Sequence, residues 1–236
     1  MKKTIIVTLV IALILILDQW LKIWVKMNIN YGDGFSILGL DWAQIHFIEN
    51  PGMAFGLSYG GVTGKIILSA FRIIMVAVLI YILRSLIKNK EPLGLLISFA
   101  LIIAGAMGNI LDSMFYGLIF SSSHIHSGLA EFMPEGGGYA PFLQGKVVDM
   151  FYFPLLDTTL PDWFPFWGGE RFQFFRPVFN LADSAISVGV ASIILFHRKF
   201  FKQEKKKKNK TPSDSSELSG VNEVVIPPML ISDQEE

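Results

Sequence analysis

Residues 4–25 read TIIVTLVIALILILDQWLKIWV, an almost unbroken apolar run that is interrupted near its end by Asp18 and Lys22. A helix needs about 20 mostly apolar residues to cross the hydrocarbon core of a bilayer, so this run predicts a membrane span. Lys2 and Lys3 precede it, as in a signal peptide, but no small-residue cleavage pattern follows. We therefore expect an uncleaved transmembrane helix.

The composition of the whole chain is that of a membrane protein. Of its 236 residues, 52% are hydrophobic and only 17% are charged, and the mean hydropathy is +0.48. So few charges would not keep the surface of a soluble domain hydrated. The formal net charge is zero, which gives no indication of nucleic-acid binding. The chain has no cysteine, and its four histidines lack a ligand spacing, so we expect neither a metal nor a cofactor.

Three further stretches have the length and apolarity of a membrane span, namely 64–87, 93–111 and 179–196. The sequence therefore predicts a mainly α, polytopic membrane protein with four transmembrane helices. We expect these helices to form one membrane domain over residues 1–201. Residues 202–236 are Lys-rich and then acidic, a composition typical of a disordered tail.

The positions of the basic residues predict the orientation, because loops rich in Lys and Arg remain in the cytoplasm. Basic residues cluster at the N-terminus, over 84–90 and after residue 197. Both termini are therefore expected inside, with loops 26–63 and 113–178 outside. The first outer loop contains an alternating stretch at 42–48 that predicts a β-strand. The second is long and aromatic-rich, a composition that favours the membrane interface.

The predicted spans carry polar residues at similar depths. With a helical rise of about 1.5 Å per residue, four of them lie about 20 to 24 Å above the cytoplasmic ends of their helices. These four are Asp18, Arg72, Asn109 and Asp183. Charged side chains inside a bilayer are costly and are usually retained for a function. The sequence therefore predicts one polar layer in the outer half of the membrane.

Three pairs within this layer have a spacing that places both members on one helix face. The pairs are Asp18 with Lys22, Asn109 with Asp112, and Asn180 with Asp183. These faces are expected to point into the helix bundle rather than toward lipid.

Small residues predict which helices approach closely. Ala100, Ala104 and Gly108 form a stripe at steps of four residues on the third predicted helix, and Ala185 and Gly189 do so on the fourth. Small side chains let transmembrane helices pack at short distance. We therefore expect these two helices to bring their polar pairs side by side.

Several of these polar residues also have structural explanations. Asp18 with Lys22 is typical of a structural ion pair or an interfacial anchor, and Arg72 of a structural counter-charge. Asn109 and Asn180 are typical of interhelical hydrogen bonds.

Asp149 and Asp183 leave two readings open. Asp149 lies in the apolar stretch 147–151 (VVDMF), and both residues are compatible with chemistry or with buried, hydrogen-bonded carboxylates of structural value only. The polar layer also leaves open a small proton- or ion-coupled transporter and a non-catalytic membrane scaffold.

Five motifs, in this order, resemble those of the lipoprotein signal peptidases, also called signal peptidase II, a family of bacterial intramembrane aspartic proteases. The motifs are Asp18-Gln19-Trp20-Leu21-Lys22, Asn50-Pro51-Gly52-Met53-Ala54-Phe55-Gly56, Gly105-Ala106-Met107-Gly108-Asn109-Ile110-Leu111-Asp112, Val147-Val148-Asp149 and Phe179-Asn180-Leu181-Ala182-Asp183-Ser184. Three of them lie at the first, third and fourth predicted spans, and two lie in the outer loops. The resemblance therefore covers the whole predicted membrane domain.

The resemblance implies that Asp149 and Asp183 are the catalytic pair that activates water. It implies that a further set of residues binds substrate or supports the site: Asp18, Lys22, Asn50, Gly52, Asn109, Asp112 and Asn180. The implied substrate is a prolipoprotein whose cysteine carries a diacylglyceryl group, cleaved just before that cysteine. The implied location is the bacterial inner membrane, with the active site toward the outer side. We expect a monomer that contacts membrane lipids and binds no nucleic acid.

The chain departs from the family pattern at one position of the site. Ser113 stands where the family usually has Arg directly after the Asp of the third motif. The contact of that Arg with substrate is then lost or is supplied by another residue, such as Arg171 or Arg176. The stretches 113–146 and 153–178 are also longer than usual in the family.

Overall fold

A computed structural model describes residues 2–51, 61–174 and 176–197 of the chain. The predicted tail at 202–236 and the site residue Gly52 lie outside the described residues. The described residues up to Phe196 belong to one compact unit.

Among the described residues, three helices are long and apolar enough to cross a membrane. Helix α1 covers Lys2–Asn28, α2 covers Gly61–Lys88 and α3 covers Leu93–Leu111. α1 and α2 extend beyond their predicted bounds at both ends, because polar residues continue the helix past the apolar core. α3 has the predicted bounds and continues into a π-helical turn, Asp112–Tyr116, and a short helix α4, Gly117–Ile119.

The fourth apolar helix, α5, covers Leu181–Phe196 and has 16 residues, fewer than the three long helices. It begins two residues later than predicted, because Val178–Phe179 forms a β-strand instead of a first helical turn. Asn180 separates the strand from the helix, and its side chain caps the helix N-terminus.

The central sheet has four antiparallel strands in the order β1-β2-β3-β6. The strands are β1 (Gly34–Ile37), β2 (Leu40–Asn50), β3 (Val147–Tyr152) and β6 (Val178–Phe179). β2 covers the alternating stretch that predicts a strand. β3 lies between β2 and β6, and its register places Asp149 opposite Ile48 and Phe151 opposite Phe179. The sheet therefore joins three parts of the sequence that are distant along the chain.

A separate two-stranded hairpin lies in the long second loop. It consists of β4 (Leu156–Thr159) and β5 (Arg171–Phe174), which pair antiparallel. Aromatic side chains between the two strands are strongly exposed, with Trp163 at 79% and Phe166 at 95% of full exposure. Exposed rings of this kind suit the boundary between water and lipid.

The helices form a bundle around α3, which packs against α1, α2 and α5. The outer face of α1 is apolar and exposed along its length, as at Leu9, Leu13, Ile16 and Trp20. An exposed apolar stripe on a long helix is suited to contact with lipid. α3 has many buried residues, as expected of a helix that is enclosed by its neighbours.

Small residues allow α3 and α5 to approach each other. Ala104 and Ala185 are buried between helices. A Cβ atom added to Gly105 would lie 2.2 Å from the main-chain oxygen of Ala182, and one added to Gly189 would lie 2.7 Å from the main-chain oxygen of Ser98. The glycines are therefore required by the short distance between the helix backbones.

A second core joins the helix bundle to the sheet. It contains seven buried side chains from α1, the sheet and the region after α3: Val25, Ile29, Phe47, Tyr116, Phe120, Val148 and Met150. Val148 and Met150 point into this core from β3, so the intervening Asp149 points to the opposite face of the strand. Packing of the apolar neighbours thus orients the carboxylate toward the helix bundle.

We expect Gly105→Ala to destabilise the protein by about 1 to 3 kcal/mol, because the added methyl group overlaps a main-chain oxygen that cannot rotate away. Thermal unfolding in detergent measures this effect. Ala77→Val is the matched control, since Ala77 lies on an exposed part of α2. Equal stability of wild type and Gly105→Ala would show that the two helices are not held at this distance.

Candidate active site

The site is built around Lys22, whose side chain is fully buried in α1. Its Nζ atom lies 2.9 Å from Asp18 Oδ2 and 2.8 Å from Asp112 Oδ2. The same atom donates a hydrogen bond of 2.9 Å to Asn109 Oδ1. All three protons of the ammonium group therefore have acceptors, as a buried charge requires.

Asp18 and Asp112 have further partners that hold the network in place. Asp18 Oδ1 accepts a 2.9 Å hydrogen bond from the main-chain N–H of Ala182, which ties α1 to the first turn of α5. Gln19 Nε2 donates to Asp112 Oδ1 at 2.9 Å and lies 3.2 Å from Asp18 Oδ2. Tyr116 donates to Gln19 Oε1. Gln19 and Tyr116 were absent from the predicted site, although Gln19 lies inside the first motif.

Asn109 and Asn180 connect this ion-pair network to two other carboxylates. Asn109 Nδ2 donates to Asp183 Oδ1 at 2.8 Å, while its Oδ1 accepts from Lys22 and, at 3.1 Å, from Asn180 Nδ2. Asn180 Nδ2 also donates to Asp149 Oδ1 at 2.7 Å. The orientation of Asn109 is therefore set by Lys22 on one side and Asp183 on the other, and that of Asn180 by the main-chain N–H of Asp183 and the carboxylate of Asp149.

Asp183 lies in the first turn of α5 as part of a capping box. The Asp183 N–H donates to Asn180 Oδ1 at 2.9 Å, and the Asn180 N–H donates to Asp183 Oδ2 at 3.3 Å. The spacing of three residues lets each side chain reach the main chain of the other. The positive end of the helix dipole favours a negative charge at this position.

Asp149 lies in the middle of β3 and is almost fully buried. Burial, and next the negative charge of Asp183, raise the pKa of Asp149 from 3.8 to about 7. The opposing influences are the charge of Lys22 and side-chain hydrogen bonds from Asn180 and Asn50. The two carboxyl groups therefore lie close enough to affect each other's charge, and they sit in different environments.

Asn50 reaches the site from the last position of β2. It pairs with Val147 in the β2–β3 register, and its side chain donates to the carboxylate of Asp149. The structure thus brings together eight of the nine predicted site residues, on α1, β2, the end of α3, β3 and the start of α5. The ninth, Gly52, lies outside the described residues.

Two arginines were considered above as replacements for the arginine that the family usually has at position 113, and both lie on the long second loop. Arg171 lines a cavity of about 460 Å³ in the β4–β5 hairpin, and Arg176 is exposed. Ser113 itself is buried, and its hydroxyl donates to the main-chain oxygen of Asn109. Arg72 on α2 interacts electrostatically with Asp183 and with Asp149. A cation from α2 therefore faces the two carboxylates.

A second buried charge cluster lies next to the site and was not predicted. Lys26 is fully buried, forms an ion pair with Glu49 and donates to Ser123 Oγ at 2.7 Å. Lys146 contacts the other oxygen of Glu49 at 3.2 Å. These contacts tie α1 to β2 and to the segment that precedes β3. The sequence signal for Lys26 was its spacing of four residues from Lys22.

The described residues contain no group of three or more His, Asp or Glu side chains arranged to hold a metal ion. The described side chains of the site are carboxylates, amides and cations. A pair of carboxyl groups in unlike environments is suited to general acid and base catalysis.

Comparison with known proteins links this arrangement to one family. A family model for signal peptidase (SPase) II matches residues 10–199. A lipoprotein signal peptidase of Porphyromonas gingivalis is 49% identical over 191 residues, which cover 80% of this chain and 81% of that protein. A lipoprotein signal peptidase of Amoebophilus asiaticus is 36% identical over 220 residues, which cover 92% of this chain and 88% of that protein.

Solved structures show the same fold. A bacterial membrane enzyme solved by the in meso method at 1.9 Å has a TM-score of 0.51 and 24% identity, and the match covers 82% of this chain and 92% of that one. Another, solved by the same method at 2.3 Å, has a TM-score of 0.50 and 23% identity, with 88% and 93% covered. These similarities concern the arrangement of the chain in space.

We expect Lys22→Met to destabilise the protein by about 3 to 5 kcal/mol, because Asp18 and Asp112 would remain buried without their counter-charge. Thermal unfolding of the purified protein in detergent measures the loss. Lys88→Met serves as control, since Lys88 is exposed at the end of α2. An unchanged melting temperature for Lys22→Met would mean that the ion pairs contribute no net stability.

Proposed function

The chain belongs to the signal peptidase II family of bacterial membrane proteases, and we propose that it removes signal peptides from prolipoproteins as an aspartic endopeptidase. The proposed substrate carries a diacylglyceryl group on its cysteine, and the proposed cleavage position is just before that residue. The relatives that match most of the chain carry the name lipoprotein signal peptidase, which supports this substrate class.

The observation that carries the proposed mechanism is the pairing of Asp149 and Asp183 in unlike environments. Asp149 is buried in a sheet, and burial raises its pKa to about 7, so a substantial fraction is protonated near neutral pH, where an ordinary aspartate is ionised. Asp183 lies at a helix N-terminus and accepts hydrogen bonds from the side chain of Asn109 and the main-chain N–H of Asn180. The pair can therefore hold one proton between two carboxyl groups.

In the proposed reaction, the Asp183 carboxylate takes a proton from water as the water oxygen attacks the scissile carbonyl carbon. The protonated Asp149 donates a hydrogen bond to the carbonyl oxygen, where negative charge develops. The tetrahedral intermediate then collapses, the C–N bond breaks, and a carboxyl proton passes to the leaving amine. The products are a free amine and a carboxylic acid that keeps the second proton of the water, and one proton again remains on the carboxyl pair.

The amides and the ion-pair network act as supports in this proposal. Lys22 carries one positive charge between Asp18 and Asp112 and also orients Asn109. Asn109 and Asn180 then hold Asp183 and Asp149 at fixed positions. Such preorganisation matters because misplaced catalytic groups lose much of their rate advantage.

We further propose that α5 is the fourth transmembrane helix, with both termini in the cytoplasm and the site toward the outer side of the inner membrane. α5 packs against the long helix α3 and carries no charged residue after Asp183 in its first turn. At about 1.5 Å per residue it spans about 24 Å, and the strand β6 directly precedes it. In this placement, a monomer would receive a substrate whose acyl chains remain in the surrounding membrane lipids.

We expect Asp149→Asn and Asp183→Asn to abolish cleavage of a diacylglyceryl-modified precursor while the protein remains folded, because each substitution removes one carboxyl group from the pair. Purified variants are incubated with the precursor, and release of the signal peptide is followed by gel. Asp41→Asn, at an exposed aspartate of β2, is the control and should cleave normally. Near wild-type cleavage by either site variant would rule out the two-carboxylate mechanism.

We expect kcat/KM to fall as pH rises through about 7, because Asp149 then loses the proton that the reaction needs. Asn50→Ala should move this alkaline limb to higher pH, since the hydrogen bond from Asn50 stabilises the ionised form of Asp149. The pH at which kcat/KM falls is measured for the wild-type protein and for Asn50→Ala. If kcat/KM of Asn50→Ala falls at the same pH as that of the wild type, or at a lower pH, the proton is not assigned correctly to Asp149.

A further inference from the structure

One face of α2 is directed toward the active site. Lys65, Ser69, Arg72 and Val76 follow each other at spacings of four, three and four residues, which places them on one face of the helix. Lys65 donates to the main-chain oxygen of Gln144. Ser69 and Val76 are buried, so this face packs inward rather than toward lipid.

The contacts of this face are with the segment that leads into β3. Ser69 Oγ donates to the main-chain oxygen of Leu143 at 3.3 Å, and Lys65 contacts the next residue of the same segment. That segment continues directly into β3, which carries Asp149. The face of α2 is therefore anchored beside the strand that supplies one of the two carboxylates.

Arg72 is the charged residue of this face nearest the middle of the helix. It is half-buried, and its guanidinium group interacts with the charges of Asp183 and Asp149. It therefore lies on the α2 side of the carboxyl pair. The ion-pair network of Lys22 lies on the α1 side.

Two other polar side chains near the site already have partners within the protein. Lys22 is fully buried and has three oxygen acceptors. Ser113 is buried and bonds to its own helix. Arg72 keeps part of its surface accessible, and a guanidinium group carries five N–H donors in a planar fork. It can therefore contact a carboxylate and a second acceptor together.

An extended peptide that enters a bilayer brings main-chain carbonyl groups that need donors, because lipid offers none. We propose that Arg72 binds the substrate by donating guanidinium N–H groups to its main-chain carbonyl oxygens beside the scissile bond. This inference rests on the proposed protease function. It assigns to α2 a substrate-binding residue that the predicted site did not include.

Arg72→Gln tests the proposal, with the precursor carrying a diacylglyceryl group as the probe. We expect a rise in KM of about 10- to 100-fold, the effect of losing a charged hydrogen bond. Arg72→Lys keeps the charge but loses the fork, so its KM should lie between those of wild type and Arg72→Gln. Arg84→Gln removes an exposed arginine from the same helix and should leave KM unchanged.

Binding without turnover separates substrate contact from a structural effect. The Kd for the same precursor is measured in Asp149→Asn and in Asp149→Asn with Arg72→Gln. A weaker Kd in the double variant, at an unchanged melting temperature, supports the contact. An unchanged Kd overturns the proposed contact between Arg72 and the substrate. This holds also if Arg72→Gln lowers only kcat or the melting temperature.

The same experiments distinguish the failure of this inference from the failure of the proposed function. Cleavage by wild type and Arg84→Gln, together with inactivity of Asp149→Asn, supports the protease mechanism by itself. If Arg72→Gln then has a wild-type KM, the inference alone is wrong. If wild type does not cleave the precursor, the proposed function is wrong and this inference is overturned with it.

Discussion

The burial of the Lys22 ammonium group is the constraint on which the rest of the site depends. A charge without water must be surrounded by acceptors, and here these come from α1 and from the end of α3. Asp18 in turn accepts a hydrogen bond from the main chain of α5. Three helices are thereby fixed relative to one another by one positive charge. The close approach of α3 and α5 through Gly105 makes these short polar contacts possible.

The two carboxyl groups differ because they belong to different kinds of secondary structure. Asp183 lies in the first turn of a helix, where main-chain N–H groups point toward it. Asp149 lies in the middle of a strand whose neighbouring residues are buried in an apolar core, and burial raises its pKa to about 7. The hydrogen bond from Asn180 to Asp149 links the start of α5 to β3, and it thus brings together two carboxyl groups in unlike environments. This asymmetry suits acid and base roles in one reaction.

Ser113 stands where the family usually has an arginine, and another arginine, Arg72, lies on α2. The Ser113 hydroxyl bonds to its own helix, while Arg72 interacts electrostatically with the carboxyl pair from a different helix. A cation at an active site can therefore come from any element whose face is directed inward. For α2 that direction is set by Ser69 and Lys65, which bind main-chain oxygens just before β3. The site draws on the whole bundle rather than on the motif segments alone.

The long apolar helices and the pairs at spacings of three and four, such as Asp18 with Lys22, could be predicted from the order of the residues. Both follow from the helical repeat, which is a local property of the chain. Three other features are visible only in the folded protein. Val178–Phe179 pairs with β3, Asn180 donates to Asp149, and Arg72 interacts with the charges of the carboxyl pair. These contacts join segments far apart in sequence. Their geometry depends on helix distances and strand register, because no local periodicity specifies which distant segments pack together.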